Sequence, residues 1–170
     1  APKIAHVSEQ VTTIMEAKYN KVRPRQYIFI GQKNLYGPAL LTASLVLHGW
    51  MPWSNDSDND NNPDQKVFAV MSNRGNSATM IKNEFNRPNT KIDLLVLESN
   101  YTEGITLKNI THIHIYDIPD TYKTYHQVVR RGVRLCKHDD EKYKAFVEDN
   151  GGVSVTIYEL TCFGIPLRYR

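Results

Sequence analysis

Residues 91–99 have the sequence Lys-Ile-Asp-Leu-Leu-Val-Leu-Glu-Ser and contain the clearest apolar run of the chain, Leu94 to Leu97. A short apolar run without alternation is typical of a strand that is buried on both faces. Such strands form parallel sheets whose two faces are covered by helices. The stretch therefore predicts the central layer of an α/β domain.

Strand-like and helix-like patterns alternate along the chain on both sides of this run. The apolar spacing predicts strands at 27–30, 67–71, 92–97, 110–116 and 153–161 and helices at 4–19, 37–48, 77–85, 121–137 and 142–147. This alternation predicts a three-layer α/β domain, with helices on both faces of a mostly parallel central sheet. Ligands of such sheets bind beyond the carboxyl ends of the strands, so the following loops are the candidate site. They are 31–36, 72–76, 99–106 and 119–126.

Length and composition limit the class of protein. With 170 residues and a hydrophobic fraction of 41%, we expect one globular domain over residues 1–170. Only two cysteines, Cys136 and Cys162, argue against a disulfide framework and favour a reducing compartment. No apolar run is long enough to span a membrane, so we predict no membrane partner. The chain begins with Ala1 rather than Met, and we expect it to be a fragment of a longer protein.

The net charge of +3 conceals an uneven distribution. Residues 54–64 are rich in Asn and Asp, contain four acidic residues and are predicted to form a polar insertion loop. Outside that loop 21 basic residues face 14 acidic ones, a net charge of +7. A basic body of this kind favours polyanionic partners.

The predicted helix 121–137 divides into two faces at about 100° per residue. One side carries Tyr122, Tyr125, Val129, Val133 and Cys136, and is expected to pack on the sheet. The other side carries Lys123, Gln127, Arg130, Arg131, Arg134 and His138, and no acidic residue lies within the helix. Guanidinium groups match the geometry of phosphate oxygens, which makes this face a candidate phosphate site. A solvated basic face without a ligand is the alternative.

The segment after the core strand offers a second candidate site. Glu103 can accept hydrogen bonds from a sugar hydroxyl, and Gly104 lets the backbone approach a ligand closely. Taken alone, a Glu-Gly pair after a strand also fits an ordinary turn.

Together the two segments resemble motifs V and VI of superfamily-2 helicases. Residues 91–99, 103–109, 113–119 and 126–134 follow the order of that family, whose last motif reads approximately Gln-x-x-Gly-Arg-x-x-Arg. Gln127, Arg131 and Arg134 match it, whereas Arg130 replaces the usual glycine. The resemblance covers nearly the whole chain, with 54–64 as an insertion, and it is greatest to helicases and transcription ATPases of large cytoplasmic DNA viruses.

The resemblance implies that the chain is the C-terminal RecA-like domain of an ATP-dependent helicase or translocase. Arg131 and Arg134 would be arginine fingers that act on the γ-phosphate. The other positions that the resemblance implies are nucleotide contacts at Glu103, Gly104, Gln127 and Arg130, and nucleic-acid contacts at Gln32, Lys33, Ser72 and Ser99. The nucleic acid would be DNA or RNA.

The sequence contains no G-x-x-x-x-G-K-[ST] phosphate loop and no acidic magnesium motif after a strand. By the resemblance, an N-terminal RecA-like domain of the same protein would hold most of ATP and Mg²⁺, and this chain alone would be inactive. A viral member would work in the host cytoplasm or in the virion.

The residues also bear on three alternatives to a helicase domain. A Rossmann-type enzyme is disfavoured because residues 31–34 lack the G-x-G-x-x-G pattern after the first strand. A zinc site is disfavoured because its possible ligands, His112, His114, Cys136 and His138, do not converge, so we predict no metal site. A non-catalytic nucleic-acid-binding domain stays open, since a basic face serves both functions.

Overall fold

The computed structural model describes residues 2–17, 22–31, 37–55, 62–71, 78–98, 105–133, 139–159, 161–162 and 165–166. Helices and strands alternate along these residues, as the pattern predicts. The helices are α1 Pro2–Glu16, α2 Gly37–Leu47, α3 Ala78–Phe85, α4 Tyr122–Val133 and α5 Glu141–Asp149. The strands are β1 Gln26–Ile30, β2 Trp50–Pro52, β3 Lys66–Met71, β4 Leu94–Glu98, β5 His112–Ile115, β6 Ser154–Ile157, β7 Thr161–Cys162 and β8 Ile165–Pro166.

Six strands form one sheet in the order β2-β3-β4-β1-β5-β6, and every pair in it is parallel. The predicted α/β class with a parallel central sheet is confirmed. The predicted core strand lies inside the sheet as β4, between β3 and β1. The short pair β7-β8 is antiparallel and separate.

The two faces of the sheet are buried under different helices. Alternate strand residues, such as Ile28 and Val96, pack with Val7 and Leu41 of α1 and α2. Their neighbours in the strands pack with the apolar residues of α3 and α4. Because both faces are covered, β1 is buried at every position, which explains its apolar run from Tyr27 to Ile30.

Some predicted bounds were wrong. The first helix begins at Pro2 rather than residue 4, because proline suits the first helical turn, where its missing N–H is not needed. The last strand of the large sheet ends at Ile157 instead of Thr161. No described helix has both the length and the apolar composition needed to cross a bilayer.

An ion pair between a buried carboxylate, Asp93, and a partly exposed arginine, Arg23, lies at the amino ends of β3, β4 and β1. Asp93 is only 2% exposed, and Arg23 binds both of its carboxylate oxygens, one of them at 2.8 Å. The backbone N–H of Val67 donates to the same carboxylate at 2.9 Å. Burial raises the pKa of Asp93, and the hydrogen bonds from Arg23 oppose that shift. The positive charge of Arg23 therefore stabilises the ionised carboxylate of Asp93 inside the protein.

A second arginine, Arg25, caps the end of α3. Its guanidinium donates to the carbonyls of Phe85, Arg87 and Pro88 at 3.3, 2.9 and 2.9 Å, and lies 4.8 Å from the ring centroid of Tyr143. Carbonyls at a helix C-terminus carry partial negative charge, which a buried cation neutralises.

A buried histidine joins β5 to β1 and α1. The hydroxyl of Tyr158 donates to His114 Nδ1 at 2.9 Å, and His114 Nε2 donates to Gln26 Oε1 at 2.9 Å. Gln26 in turn donates to the carbonyl of Val11 at 3.1 Å. Burial lowers the pKa of His114 to about 3, so the ring is neutral and one nitrogen can accept while the other donates.

Candidate functional site

The carboxyl ends of three neighbouring strands define the candidate site. At this edge of the sheet Ile30 of β1 pairs with Glu98 of β4, and Phe29 of β1 pairs with Ile115 of β5. The chain leaves β1 toward the β2 edge and leaves β5 toward β6 on the opposite side. This reversal is a topological switch point, where open α/β sheets bind their ligands.

The two connections meet through Asp117 and Gly31. The backbone N–H of Gly31 donates to Asp117 Oδ2 at 3.1 Å. Lys3 Nζ lies 3.9 Å from Asp117 Oδ1 and 4.3 Å from the ring centroid of Tyr116. Burial lowers the pKa of Lys3, while the charge of Asp117 acts in the opposite direction. Polar and charged groups therefore lie at the carboxyl ends of β1 and β5, where the switch point is.

Helix α4 begins at Tyr122, shortly after this connection, and its rotation is set by contacts with the sheet. Val128 is buried, and the phenol hydroxyl of Tyr27 on β1 donates to its carbonyl at 2.5 Å. Tyr125 and Val129 pack beside it against the same cluster. The buried face of α4 is therefore centred on Val128.

The helical spacing of the sequence predicted that Tyr122 lies on the side of this helix that packs on the sheet, and that prediction was wrong. Tyr122 is 76% exposed, and its ring contacts His126 edge to face, with centroids 4.1 Å apart. Six residues before Val128, Tyr122 lies about 120° from the centre of the buried face, too far to reach the sheet.

The opposite face of α4 carries the predicted basic residues. Lys123 and Arg130 are exposed and Gln127 is half-buried. Arg131 lies within α4, but its side chain is outside the described structure, and Arg134 lies outside the described residues. Among the described residues, no carboxylate forms an ion pair with Arg130. The described part of this face therefore points its charge toward solvent.

The acidic residues that follow α4 have partners elsewhere. Asp139 forms an ion pair with Lys108, and the Asp140 side chain caps α5 by accepting from the backbone N–H of Lys142 at 2.9 Å. Both carboxylates therefore have partners other than Arg130.

Several predicted site residues lie outside the described structure: Gln32, Lys33, Ser72, Ser99, Glu103, Gly104 and Arg134. The described residues just before three of these loops nevertheless show where the loops leave the sheet. Gly31 follows β1, Met71 ends β3 and Glu98 ends β4, so three of the predicted loops leave the sheet from the same side as α4.

Asp117 and Lys3 were not predicted as contact residues, whereas Gly31 begins the predicted ligand-binding loop 31–36. The available signal was the position of Asp117 directly after an apolar strand pattern, at the end where ligands bind. A separate cavity of about 240 Å³, lined in part by Arg23, Trp53 and Lys91, lies near the amino ends of β3 and β4, away from this edge.

Residues 66–136 match the family described as the helicase conserved C-terminal domain. The match covers less than half of the chain, from the start of β3 to just beyond the last described residue of α4. It includes Asp117 and the basic face of α4, but not Gly31 and Lys3, the two partners of Asp117. The similarity to superfamily-2 helicases that the motifs suggested is confirmed.

Individual proteins are also similar to this chain. The 70 kDa subunit of the early transcription factor of Yaba monkey tumor virus (strain VR587) is 24% identical to it, over 72% of this chain and 20% of the relative. The chain thus spans about a fifth of that relative. The C-terminal part of the Fun30 ATPase domain has a TM-score of 0.61 at 15% identity, covering 91% of this chain and 40% of the other. The yeast DEAD-box splicing factor Prp28 has a TM-score of 0.54 at 14% identity, covering 91% and 27%. These two structures share the fold.

Proposed function

We propose that this chain is the C-terminal RecA-like half of an ATP-dependent superfamily-2 helicase or translocase that acts on DNA or RNA. We also propose that residues 1–170 form one domain, with 54–64 as an insertion loop. The observation that carries the proposal is the exposed basic face of α4 beside the switch point, with Arg130 outward and Val128 fixed against β1.

Arg131 and Arg134 are proposed as arginine fingers, which reach across a cleft to ATP held by an N-terminal RecA-like domain. Phosphoryl transfer spreads negative charge over the outer phosphate oxygens, and a positioned guanidinium stabilises that charge. Arginine fingers raise the rate by roughly 10³–10⁵ in GTPases. Gln127 and Arg130 lie on the same side of α4 by sequence spacing, so we assign them contacts with the nucleotide.

The loops at the carboxyl ends of the strands are proposed to hold the remaining ligand groups. Glu103 and Gly104 would contact the ribose and phosphates, while Gln32, Lys33, Ser72 and Ser99 would contact the nucleic-acid backbone. Backbone contacts position a strand without reading its sequence, as a translocating motor requires. Closure and opening of the cleft with ATP binding and hydrolysis would then move the strand.

Magnesium is assigned to the N-terminal domain. Among the residues that the structure describes, no group of three His, Cys, Asp or Glu side chains could hold a metal ion. Because the sequence lacks a phosphate loop and an acidic magnesium motif, we expect the isolated 170-residue chain to hydrolyse ATP at no appreciable rate.

The similarity to a subunit named as an early transcription factor supports a narrower proposal. The longer protein would be a transcription ATPase of a large DNA virus, working in the host cytoplasm or in the virion.

A non-catalytic nucleic-acid-binding domain is the second candidate. The exposure of Lys123 and Arg130 favours it equally, because a basic face binds phosphate backbones without any nucleotide. The two candidates differ in what the arginines do for hydrolysis.

Alanine substitution of the arginines in the full-length protein separates the candidates. We expect Arg131→Ala and Arg134→Ala each to lower the rate of ATP hydrolysis by roughly 10³. Oligonucleotide affinity should change by less than about threefold, since one phosphate contact among several is a small part of binding. Lys144→Ala, which removes an exposed cation from α5, is the matched control and should affect neither. Unchanged hydrolysis in both arginine variants, with weakened binding, would support the second candidate instead.

A further inference from the structure

We propose that Asp117 is a positioning residue that couples the loop after β1 to the connection leading into α4. The inference rests on the proposed function, because it links the loop assigned to nucleic acid with the helix assigned to ATP. Asp117 lies within the stretch 113–119 that resembles the family, but the resemblance assigned no site role to it.

The geometry places one carboxylate between two connections. Gly31 is the first residue after β1, and Gln32 and Lys33 follow it directly in the sequence. Asp117 is the second residue after β5, and α4 begins at Tyr122. The 3.1 Å hydrogen bond from the Gly31 N–H to Asp117 Oδ2 therefore joins the beginnings of both connections.

The contact leaves little room for a side chain on the β1 side. A Cβ atom built on Gly31 would lie 3.1 Å from the Cβ of Asp117, closer than an ordinary van der Waals contact. Glycine permits this approach of the backbone. A shift of either connection is consequently transmitted to the other.

The second carboxylate oxygen is also engaged. Lys3 of α1 lies 3.9 Å from Asp117 Oδ1, and its side chain is only 16% exposed. Because Gly31 uses Oδ2 and Lys3 approaches Oδ1, the carboxylate is restrained from both sides. The lysine thus orients Asp117, while the Gly31 bond carries the coupling between the two connections.

The coupling has a measurable consequence. Nucleic acid bound at residues 32–33 would stimulate ATP hydrolysis through the position of α4. Without the Asp117 contact, each connection could move independently. The ratio of the hydrolysis rate with saturating oligonucleotide to the rate without it is therefore the appropriate measure.

The experiment compares Asp117→Ala, Asp117→Asn and Lys3→Met in the full-length protein, with single-stranded DNA and RNA oligonucleotides as probes. We expect Asp117→Ala to lower the stimulation ratio at least fivefold and to speed hydrogen exchange of the Gly31 amide at least tenfold. Asp117→Asn should keep both within about twofold, since its carboxamide oxygen can still accept from Gly31. Lys3→Met should have an intermediate effect on the ratio. Asp149→Ala, which removes an exposed carboxylate from the end of α5, controls for the change in charge.

Two results would overturn the inference: an Asp117→Ala ratio or Gly31 exchange rate within twofold of wild type, or an Asp117→Asn protein as impaired as Asp117→Ala. Failure of the proposed function is recognised separately, by arginine variants that hydrolyse ATP normally or by a wild-type protein without stimulated hydrolysis. Amide exchange at Gly31 needs no hydrolysis, so it tests the contact itself in either case.

Discussion

The phenol hydroxyl of Tyr27, in the central strand β1, donates a hydrogen bond to the backbone carbonyl of Val128 in the middle of α4. This bond fixes the helix that carries Arg130 to the strand that ends at the switch point. Tyr27 is 1% exposed and Val128 is 2% exposed, so water cannot replace the bond. The buried hydroxyl of Tyr27 thus helps the packed residues of α4 to fix the orientation of the basic face.

Tyr27→Phe removes that hydroxyl with little change of shape. We expect the free energy of unfolding to fall by about 1–2 kcal/mol, the cost of leaving a buried carbonyl without this donor. Urea denaturation followed by circular dichroism measures the change. Tyr122→Phe is the matched control, and as a 76% exposed tyrosine it should change stability by less than about 0.5 kcal/mol. Equal effects of the two substitutions would contradict the importance of the buried bond.

Arg23→Ala tests the buried ion pair. It leaves Asp93 without its cation, and we expect a loss of about 3–5 kcal/mol at pH 7, typical of breaking a buried pair by removing one partner. The loss should shrink toward pH 4, because burial raises the pKa of Asp93 and a protonated carboxyl needs no cation. Arg87→Ala breaks an exposed pair with Glu84 and should cost less than about 1 kcal/mol. A loss for Arg23→Ala that is independent of pH would refute the ionised-pair explanation.

The buried histidines predict acid sensitivity. Burial lowers the pKa of His112 to about 4 and of His114 to about 3, from an ordinary value of 6.5. Below pH 6.5 the unfolded chain gains protons that the folded protein does not, so stability falls as the pH drops. The loss continues to the folded-state pKa values, and each histidine contributes a slope of about 1.4 kcal/mol per pH unit within its window.

Denaturation curves between pH 7 and pH 4.5 measure that slope. His114→Gln should reduce it by about one histidine's contribution, whatever its effect on stability at pH 7. A His114→Gln slope equal to that of the wild type would show that this ring is not the acid-sensitive group.

Substitutions of Asn109 test how much its left-handed backbone conformation affects the free energy of unfolding. Its φ of 59° is in the left-handed region, its side chain is 4% exposed, and Asn109 Oδ1 has no hydrogen-bond partner among the described residues. Asn109→Ala should cost about 1–2 kcal/mol, because a Cβ without a polar side chain disfavours this conformation. Asn109→Gly should stay within about 0.5 kcal/mol of wild type, since glycine adopts it freely. The two unfolding free energies can be compared by thermal or urea denaturation, and the reverse order would contradict the argument.

Local patterns predicted most elements, whereas long-range contacts could not be predicted. The run Leu94–Leu97 identifies β4 because a strand covered on both faces needs no polar position. Asp93 directly precedes that run, but its partner Arg23 is 70 residues away in the sequence, and nothing local indicates the pair. The network of His114, Gln26 and Tyr158 joins three distant segments for the same reason.

In the candidate site, too, local patterns could be predicted from the sequence and long-range contacts could not. Gln127 and Arg130 could be assigned to one helix face from their spacing alone, and the structure places Arg130 outward. The exact centre of the buried face depends on Tyr27, which lies 101 residues before Val128, so the exposure of Tyr122 was not foreseen. Asp117 was missed because its two partners, Gly31 and Lys3, come from the beginning of the chain.

One edge of the large sheet is formed by β2, a strand of only three residues that ends in Pro52. Proline has no N–H to offer a further strand, and so short an edge gives an incoming chain little to pair with. Strand addition from a second molecule is therefore disfavoured on this side. A segment too short to recognise as a strand from its sequence thus makes this edge of the sheet less prone to aggregation.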